Sequence, residues 1–158
     1  MEIIYLKKLK SSSSIGGRVI QGMQENEINT IEKKLKIKFP KAYKEFIFLA
    51  GKYSGGLPLM DTSDIYDLSA DWHKEIQQKE LARTGIDKQL QKPYWLFAES
   101  NACEVFYFFY LNNQIDNPEV FLVDYDSNDS RKIVPLNMNF SEFIEHKIEV
   151  GKNLEKYR

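Results

Sequence analysis

The sequence predicts an α+β fold, in which a central antiparallel sheet carries helices packed mainly on one face. Helical patterns occupy the first part of the chain, four strand-like runs follow from residue 94, and a last helical pattern comes after them. The chain has 158 residues, of which 42% are hydrophobic and 13% aromatic. That length suits one domain over residues 1–158 with a core built from bulky rings.

Apolar residues spaced three and four apart predict the helices. In ENEINTIEKKLK the apolar positions are Ile28, Ile31 and Leu35, with acidic residues early and lysines late, as the helix dipole favours. A second helix begins at Pro40 and ends before Gly51. The largely polar residues 71–90 predict a third helix, and FSEFIEHKIEVG predicts the last one.

The strand-like runs are YWLFAES, EVFYFFYL, EVFLVDYD and RKIVPL, and turns rich in Asn, Asp and Ser separate them. In EVFYFFYL both faces are apolar, since alternate residues of a strand point to opposite sides. One face would carry Val105, Tyr107, Phe109 and Leu111, and the other Phe106, Phe108 and Tyr110. We expect this strand in the middle of the sheet, with the second and last helices on one face. The sequence leaves open what covers the other face.

The first 23 residues are interpreted as an N-terminal extension with a possible strand, in which SSSSIGG forms a turn. The start MEIIYLKKLK lacks the apolar core and cleavage site of a signal peptide, so we expect a cytoplasmic protein. The single cysteine, Cys103, excludes an intrachain disulfide and a multi-cysteine zinc site.

Charge is distributed unevenly although the formal net charge is −1. Residues 1–51 contain ten Lys/Arg and five Asp/Glu, whereas residues 93–130 contain no Lys/Arg and seven Asp/Glu. Our hypothesis is an acidic docking face that attracts a basic protein and repels nucleic acid. Its candidate residues are Glu99, Glu104, Asp116, Glu119, Asp124, Tyr125, Asp126 and Asp129. The alternative is that they are ordinary solvated turn residues.

No motif predicts a catalytic, cofactor-binding or metal-ligating residue. Both histidines, His73 and His146, fall on predicted helices far from Cys103 in the sequence. The stretch DYDSND differs from a calcium loop, because Asp129 stands where glycine is required and Pro135 where the bidentate Glu belongs. The glycine pairs lack the Lys-Ser/Thr of a phosphate-binding loop.

The run IEKKLKIKFPKAYKEFIFLAGKYSGG resembles the opening signature of the SUKH superfamily (Smi/Knr type). WLFAES, FYFFYLNNQIDNPEVFLVDYD and LNMNFSEFIEHKI resemble its later strands and its terminal helix, so the resemblance covers about residues 24–150. The motif positions are Phe39, Pro40, Tyr43, Phe46, Gly55, Gly56, Phe140 and Phe143. Family members commonly carry glycine or aspartate just before the central strand, where this chain has Asn101, Ala102 and Cys103.

The resemblance implies a bacterial immunity protein that binds and neutralises a cognate toxin, often a nuclease, with no catalysis or cofactor of its own. The expected partner is a toxin with a basic surface, and neither nucleic acid nor a membrane is expected as a partner. Fungal relatives supply an alternative, a non-catalytic cytoplasmic regulatory scaffold. The least favoured alternative is a small enzyme that uses Cys103 or the acidic cluster at residues 124–129.

Overall fold

The structure, a computed structural model, describes residues 1–12, 14–125 and 132–157. Strands β3 to β6 form an antiparallel meander in that order, with β4 inside it, which confirms the predicted α+β class. A separate pair, β1 and β2, forms a short hairpin. In chain order the elements are α1 Lys7–Lys10, β1 Ser14–Ile15, β2 Arg18–Val19, α2 Glu25–Leu35, α3 Lys41–Ala50, α4 Ile65–Leu68, α5 Asp71–Thr84, a 3₁₀ turn Ile86–Lys88, β3 Tyr94–Ser100, β4 Val105–Tyr110, β5 Glu119–Asp124, β6 Ile133–Asn139 and α6 Phe140–Glu155.

Local signals set the ends of the main helices. The Glu27 carboxylate accepts the backbone N–H of Gln24 at 2.8 Å and so closes a capping box at the start of α2. Lys36, in the left-handed conformation, ends that helix, and Pro40 directly precedes α3. Among the described residues, no helix has the length and apolarity that a bilayer crossing requires.

A cluster of rings packs α3 and α6 onto one face of the sheet. The ring of Tyr43 on α3 lies 5.3 Å from that of Phe109 on β4 and 5.5 Å from that of Phe140 on α6. Phe97 on β3 lies 5.1 Å from Phe140 and 5.7 Å from Phe143. Helices α3 and α6 therefore cover this face of the central strand, as the sequence predicts.

Helix α5 and the 3₁₀ turn cover part of the opposite face, which the sequence left open. Leu81 of α5 and Leu90 after the turn line a groove together with Tyr94 of β3. The ring of Tyr94 lies 5.7 Å from that of Phe108 on β4. Phe106 and Phe108 are fully buried. The central strand is thus covered on both sides.

The residues before α2 fold into the core and are held there by a buried carboxylate. Glu45 on α3 is fully buried, and its two oxygens accept the backbone N–H groups of Ile4, Tyr5 and Leu6, each at 2.9 Å. Charge-assisted hydrogen bonds of this kind offset the cost of burying the carboxylate. The apolar residues that this clamp brings into the core are Ile3, Leu6, Leu9 and Ile15.

The glycine pair of the sequence motif has a structural explanation. Gly55 adopts a left-handed conformation with φ of +69°. Gly56 passes so close to β1 that a Cβ atom there would lie 2.0 Å from the backbone oxygen of Ile15. A side chain at either position would therefore strain the backbone or separate it from the N-terminal hairpin.

We predict that Glu45→Gln destabilises the protein by about 3 kcal/mol, because an amide offers one acceptor oxygen to three N–H groups that the carboxylate satisfies. Urea unfolding followed by circular dichroism measures the change. Glu149→Gln is the control, since Glu149 makes an exposed ion pair with Lys8, and we expect its unfolding midpoint to stay nearly unchanged. Equal midpoints for the two variants would show that the clamp contributes little.

Candidate functional site

The acidic residues predicted to form one docking face lie at two ends of the sheet. Because β4 and β5 are antiparallel neighbours, Glu104, Asp124 and Tyr125 lie at one end. Asp116 and Glu119 lie at the other end, where the connection from β4 enters β5. The length of the strands, roughly 20 Å, separates the two groups. They do not form one continuous face.

Positive charges from elsewhere in the chain lie beside the first group. The guanidinium of Arg83 on α5 pairs with the Glu104 carboxylate at 2.8 Å. Its central carbon lies 5.2 Å from the ring centroid of Tyr125, and the ammonium of Lys132 lies 5.6 Å from the same ring. The end of the sheet that carries Glu104 is therefore mixed in charge.

The second group also has basic neighbours. Asp116 lines a surface groove of about 300 Å³ together with Lys38, Lys41 and Lys44. The backbone oxygen of Asp116 accepts the N–H of Ala42 at 2.9 Å, which fixes the connection against the start of α3. Lysines from the first part of the chain therefore lie next to an acidic residue from the later part.

The prediction that Glu99 lies on the docking face is wrong, and two other predicted contact residues lie outside the described part of the chain. Glu99 is only 7% exposed. Its carboxylate accepts the backbone N–H of Cys103 at 2.9 Å, so it belongs to the interior and not to a docking face. Asp126 and Asp129 lie outside the described residues.

A different surface combines acidic and large apolar side chains, and it lies on residues 61–76. Tyr66, Trp72 and Ile76 are 46%, 53% and 38% exposed. Trp72 and Ile76 are four residues apart on α5 and therefore share one face of that helix. Exposed carboxylates alternate with these side chains. We call Asp61, Tyr66, Asp67, Asp71, Trp72, Glu75 and Ile76 the acidic-aromatic surface.

The sequence contains a signal for this surface that the charge count over residues 93–130 did not cover. The stretch DTSDIYDLSADWHKEI contains five Asp/Glu and one Lys. Its helix α4 has only four residues, too few for a periodic pattern, and is capped by the Asp64 carboxylate, which accepts the Tyr66 N–H at 2.7 Å. A charge count along the whole chain would have found the acidic run.

Three polar side chains meet beneath α5. The Nε2 atom of His73 lies 3.6 Å from Oε1 of Glu99 and 3.9 Å from Sγ of Cys103. The three residues are 3%, 7% and 1% exposed, respectively. We call them the buried polar cluster. Nothing in the sequence pattern indicates it, because α5 brings His73 to a turn that is 30 residues away in the chain.

The turn between β3 and β4 directs Cys103 into this cluster. Asn101, Ala102 and Cys103 have φ angles of +52°, +52° and +71°. Left-handed backbone costs roughly 1–2 kcal/mol for a residue with a Cβ atom and less for glycine, asparagine or aspartate.

The electrostatics of the cluster disfavour a Cys–His nucleophile. Burial, together with the smaller effect of the nearby carboxylates of Glu99 and Glu80, raises the pKa of the Cys103 thiol to about 12. The pKa of the Glu99 carboxyl is lowered, mainly by the imidazole of His73, while burial acts in the opposite direction. Cys103 is therefore a neutral thiol near pH 7, whereas a nucleophilic cysteine must be a thiolate.

We predict that Cys103 in the folded protein reacts with an aromatic disulfide reagent at least about a thousandfold more slowly than a free thiol at pH 7.5, because its thiolate fraction is small. The absorbance of the released thiolate measures the rate. In guanidinium chloride the same cysteine should react at the rate of a free thiol. Rapid labelling of the folded protein would contradict the burial and the raised pKa, and would reopen the enzymatic alternative.

A comparison with protein families gives the wider context for this geometry. The model of the SMI1 / KNR4 family (SUKH-1) matches residues 22–146. The match includes α2 to α5 and the whole meander, and it leaves out the N-terminal segment that Glu45 clamps. A search of curated proteins found no match. Since the matched region covers most of its length, the chain belongs to the SMI1 / KNR4 family (SUKH-1).

Proposed function

We propose that this protein is an immunity protein, which binds a bacterial toxin in the cytoplasm and neutralises it by protein–protein contact without catalysis. Its family is known for toxin immunity functions. The observation that carries the proposal is the acidic-aromatic surface, where Trp72 and Tyr66 are exposed among carboxylates. Large exposed aromatic side chains on a folded domain are characteristic of protein interfaces.

The chemistry of this surface favours a basic partner. Over residues 61–76 the five Asp/Glu and one Lys give a charge of −4 with His neutral. This surface also has basic neighbours, since Asp61 and Asp67 line a groove with Arg18 and Lys52, and Lys34 lies 3.8 Å from Asp71. Toxins that act on nucleic acids hold the phosphate backbone with lysine and arginine. Carboxylates can occupy such a cleft and accelerate association, while tryptophan and tyrosine provide most of the contact energy.

Part of the surface is held in place before any partner binds. The hydroxyl of Tyr66 donates to the Glu27 carboxylate at 2.7 Å. Lys52 pairs with the same carboxylate at 3.2 Å, and its ammonium lies 5.9 Å from the Tyr66 ring centroid. A side chain fixed in this way loses less entropy on binding. We therefore assign Tyr66 as a pre-organised contact.

The acidic residues at the ends of the sheet provide the alternative docking face. Glu104, Asp116, Glu119, Asp124 and Tyr125 remain candidates there, although each end contains basic neighbours. The two faces make different predictions for charge reversal. Matched pairs of exposed acids exist on both faces, namely Asp67 with Glu75 and Asp116 with Glu119.

The role itself can be tested by co-expression with candidate toxin domains encoded beside its gene. Cell survival and co-purification as a stable complex would support the proposal. If no toxin domain is neutralised and the protein instead captures a cytoplasmic regulator from its native cell, the result would support the regulatory-scaffold alternative over the immunity proposal.

With a neutralised toxin in hand, we predict that Asp67→Lys with Glu75→Lys slows association at least about tenfold at low salt and weakens its salt dependence. Surface plasmon resonance at several salt concentrations measures both quantities. Asp116→Lys with Glu119→Lys changes the net charge equally and is the control, with an expected change of less than about threefold. The reverse order would assign docking to the sheet end, and no effect of either pair would refute electrostatic steering.

A further inference from the structure

We propose that His73, Glu99 and Cys103 bind a divalent transition metal ion, with zinc the best fit. The buried polar cluster offers one imidazole nitrogen, one carboxylate oxygen and one sulfur, and its three donor atoms lie within 4.8 Å of one another. Nitrogen, oxygen and thiolate sulfur are the ligands of zinc in proteins. A soft sulfur ligand disfavours magnesium and calcium.

The two spacings around the His73 Nε2 atom are close to those between metal ligands. Ligand atoms around a tetrahedral zinc ion lie roughly 3.3 to 3.8 Å apart, given bonds of 2.0 to 2.3 Å. The distances from His73 Nε2 are 3.6 Å to the carboxylate oxygen and 3.9 Å to the sulfur. A nitrogen-to-oxygen hydrogen bond would be shorter, at about 2.7 to 3.2 Å.

The imidazole of His73 also has too few partners for a buried polar group. Its Nδ1 atom is buried and makes no hydrogen bond with the described residues. Its Nε2 atom has two long contacts, one of 3.6 Å to the Glu99 carboxylate oxygen and one of 3.9 Å to the Cys103 sulfur, of which the second is a weak sulfur hydrogen bond. A metal ion on Nε2 would replace these two long contacts with coordinate bonds.

Charge balance favours a divalent ion at this buried position. On binding, the Cys103 S–H bond breaks, its proton leaves to solvent and a sulfur–metal bond forms. The ion then carries two positive charges against one thiolate and one carboxylate, while His73 stays neutral with its proton on Nδ1. The complex has no net charge, so its burial avoids the large penalty of an isolated ion. A metal ion deprotonates a thiol even where burial alone keeps it neutral.

The backbone supports the same assignment. Three consecutive left-handed residues place the Cys103 sulfur beside Glu99 and His73. Strain of this kind concentrates at functional sites, where the surrounding structure maintains it. Because His73 is on α5 and Glu99 on β3, the ion would connect the helix to the sheet.

Metal titration of the purified full-length protein tests the site without any toxin, so its result is separate from that of the proposed function. After removal of metals by a chelator, we expect one equivalent of Co²⁺ to produce a thiolate-to-cobalt charge-transfer band that Zn²⁺ abolishes. We also expect excess Zn²⁺ to raise the melting temperature by roughly 5 °C or more.

Variants locate the ion. Cys103→Ser should lose the charge-transfer band, and His73→Gln and Glu99→Gln should each weaken binding at least about tenfold. His146→Gln is the matched control, because His146 is exposed on α6, and it should bind as the unmodified protein does. Circular dichroism checks that each variant is folded. Absence of the band and of the melting shift in the unmodified protein would overturn the proposal, as would undiminished binding by Cys103→Ser.

Discussion

The apolar character of both faces of β4 is the constraint from which the rest of the structure follows. Phe109 on one face and Phe106 and Phe108 on the other are all fully buried, so the sheet requires cover on two sides. Helices α3 and α6 cover the first side through rings around Tyr43. Helix α5 has to cover the second. The position of α5, and therefore of everything that it carries, is a consequence of β4.

The N-terminal segment shows that the core extends past the region matched by the family model. Residues 22–146 match that model, yet Leu6, Leu9 and Ile15 before this range are fully buried. Glu45 fastens the segment by accepting N–H groups from its backbone, and Gly56 lets the hairpin approach closely. A ten-residue helix, α3, thus contributes rings to the sheet on one side and a buried charge to the N-terminus.

Periodicity explains why so much of the fold could be predicted from the sequence. The main helices and the four strands of the meander are long enough for spacings of three, four and two residues to be visible. Helices α1 and α4 have four residues each and β1 and β2 have two, so no period can appear in them. Helix α5, which covers the second face of β4, has few buried residues and therefore only a weak amphipathic pattern. Its position on the sheet could not be predicted from that pattern.

The sites were harder to predict because they depend on contacts between distant residues. A charge count along residues 93–130 does not include Arg83, which the fold places beside Glu104. Alternation along β3 gives no warning that Glu99 is buried, because the partner that accommodates it, His73, lies on a separate helix. Sequence distance likewise separates His73 from Cys103. Only the packing of α5 brings these side chains together.

Helix α5 links the two proposals physically. Adjacent residues on this helix differ in exposure, since Trp72 is exposed on the acidic-aromatic surface while His73 is buried against the sheet. Their rings lie 5.6 Å apart in an edge-to-face arrangement. An ion on His73 would restrain the backbone that presents Trp72, Asp71 and Glu75 to a partner. A restrained helix loses less conformational entropy on binding, so the buried polar cluster would increase the affinity for the partner without contacting it.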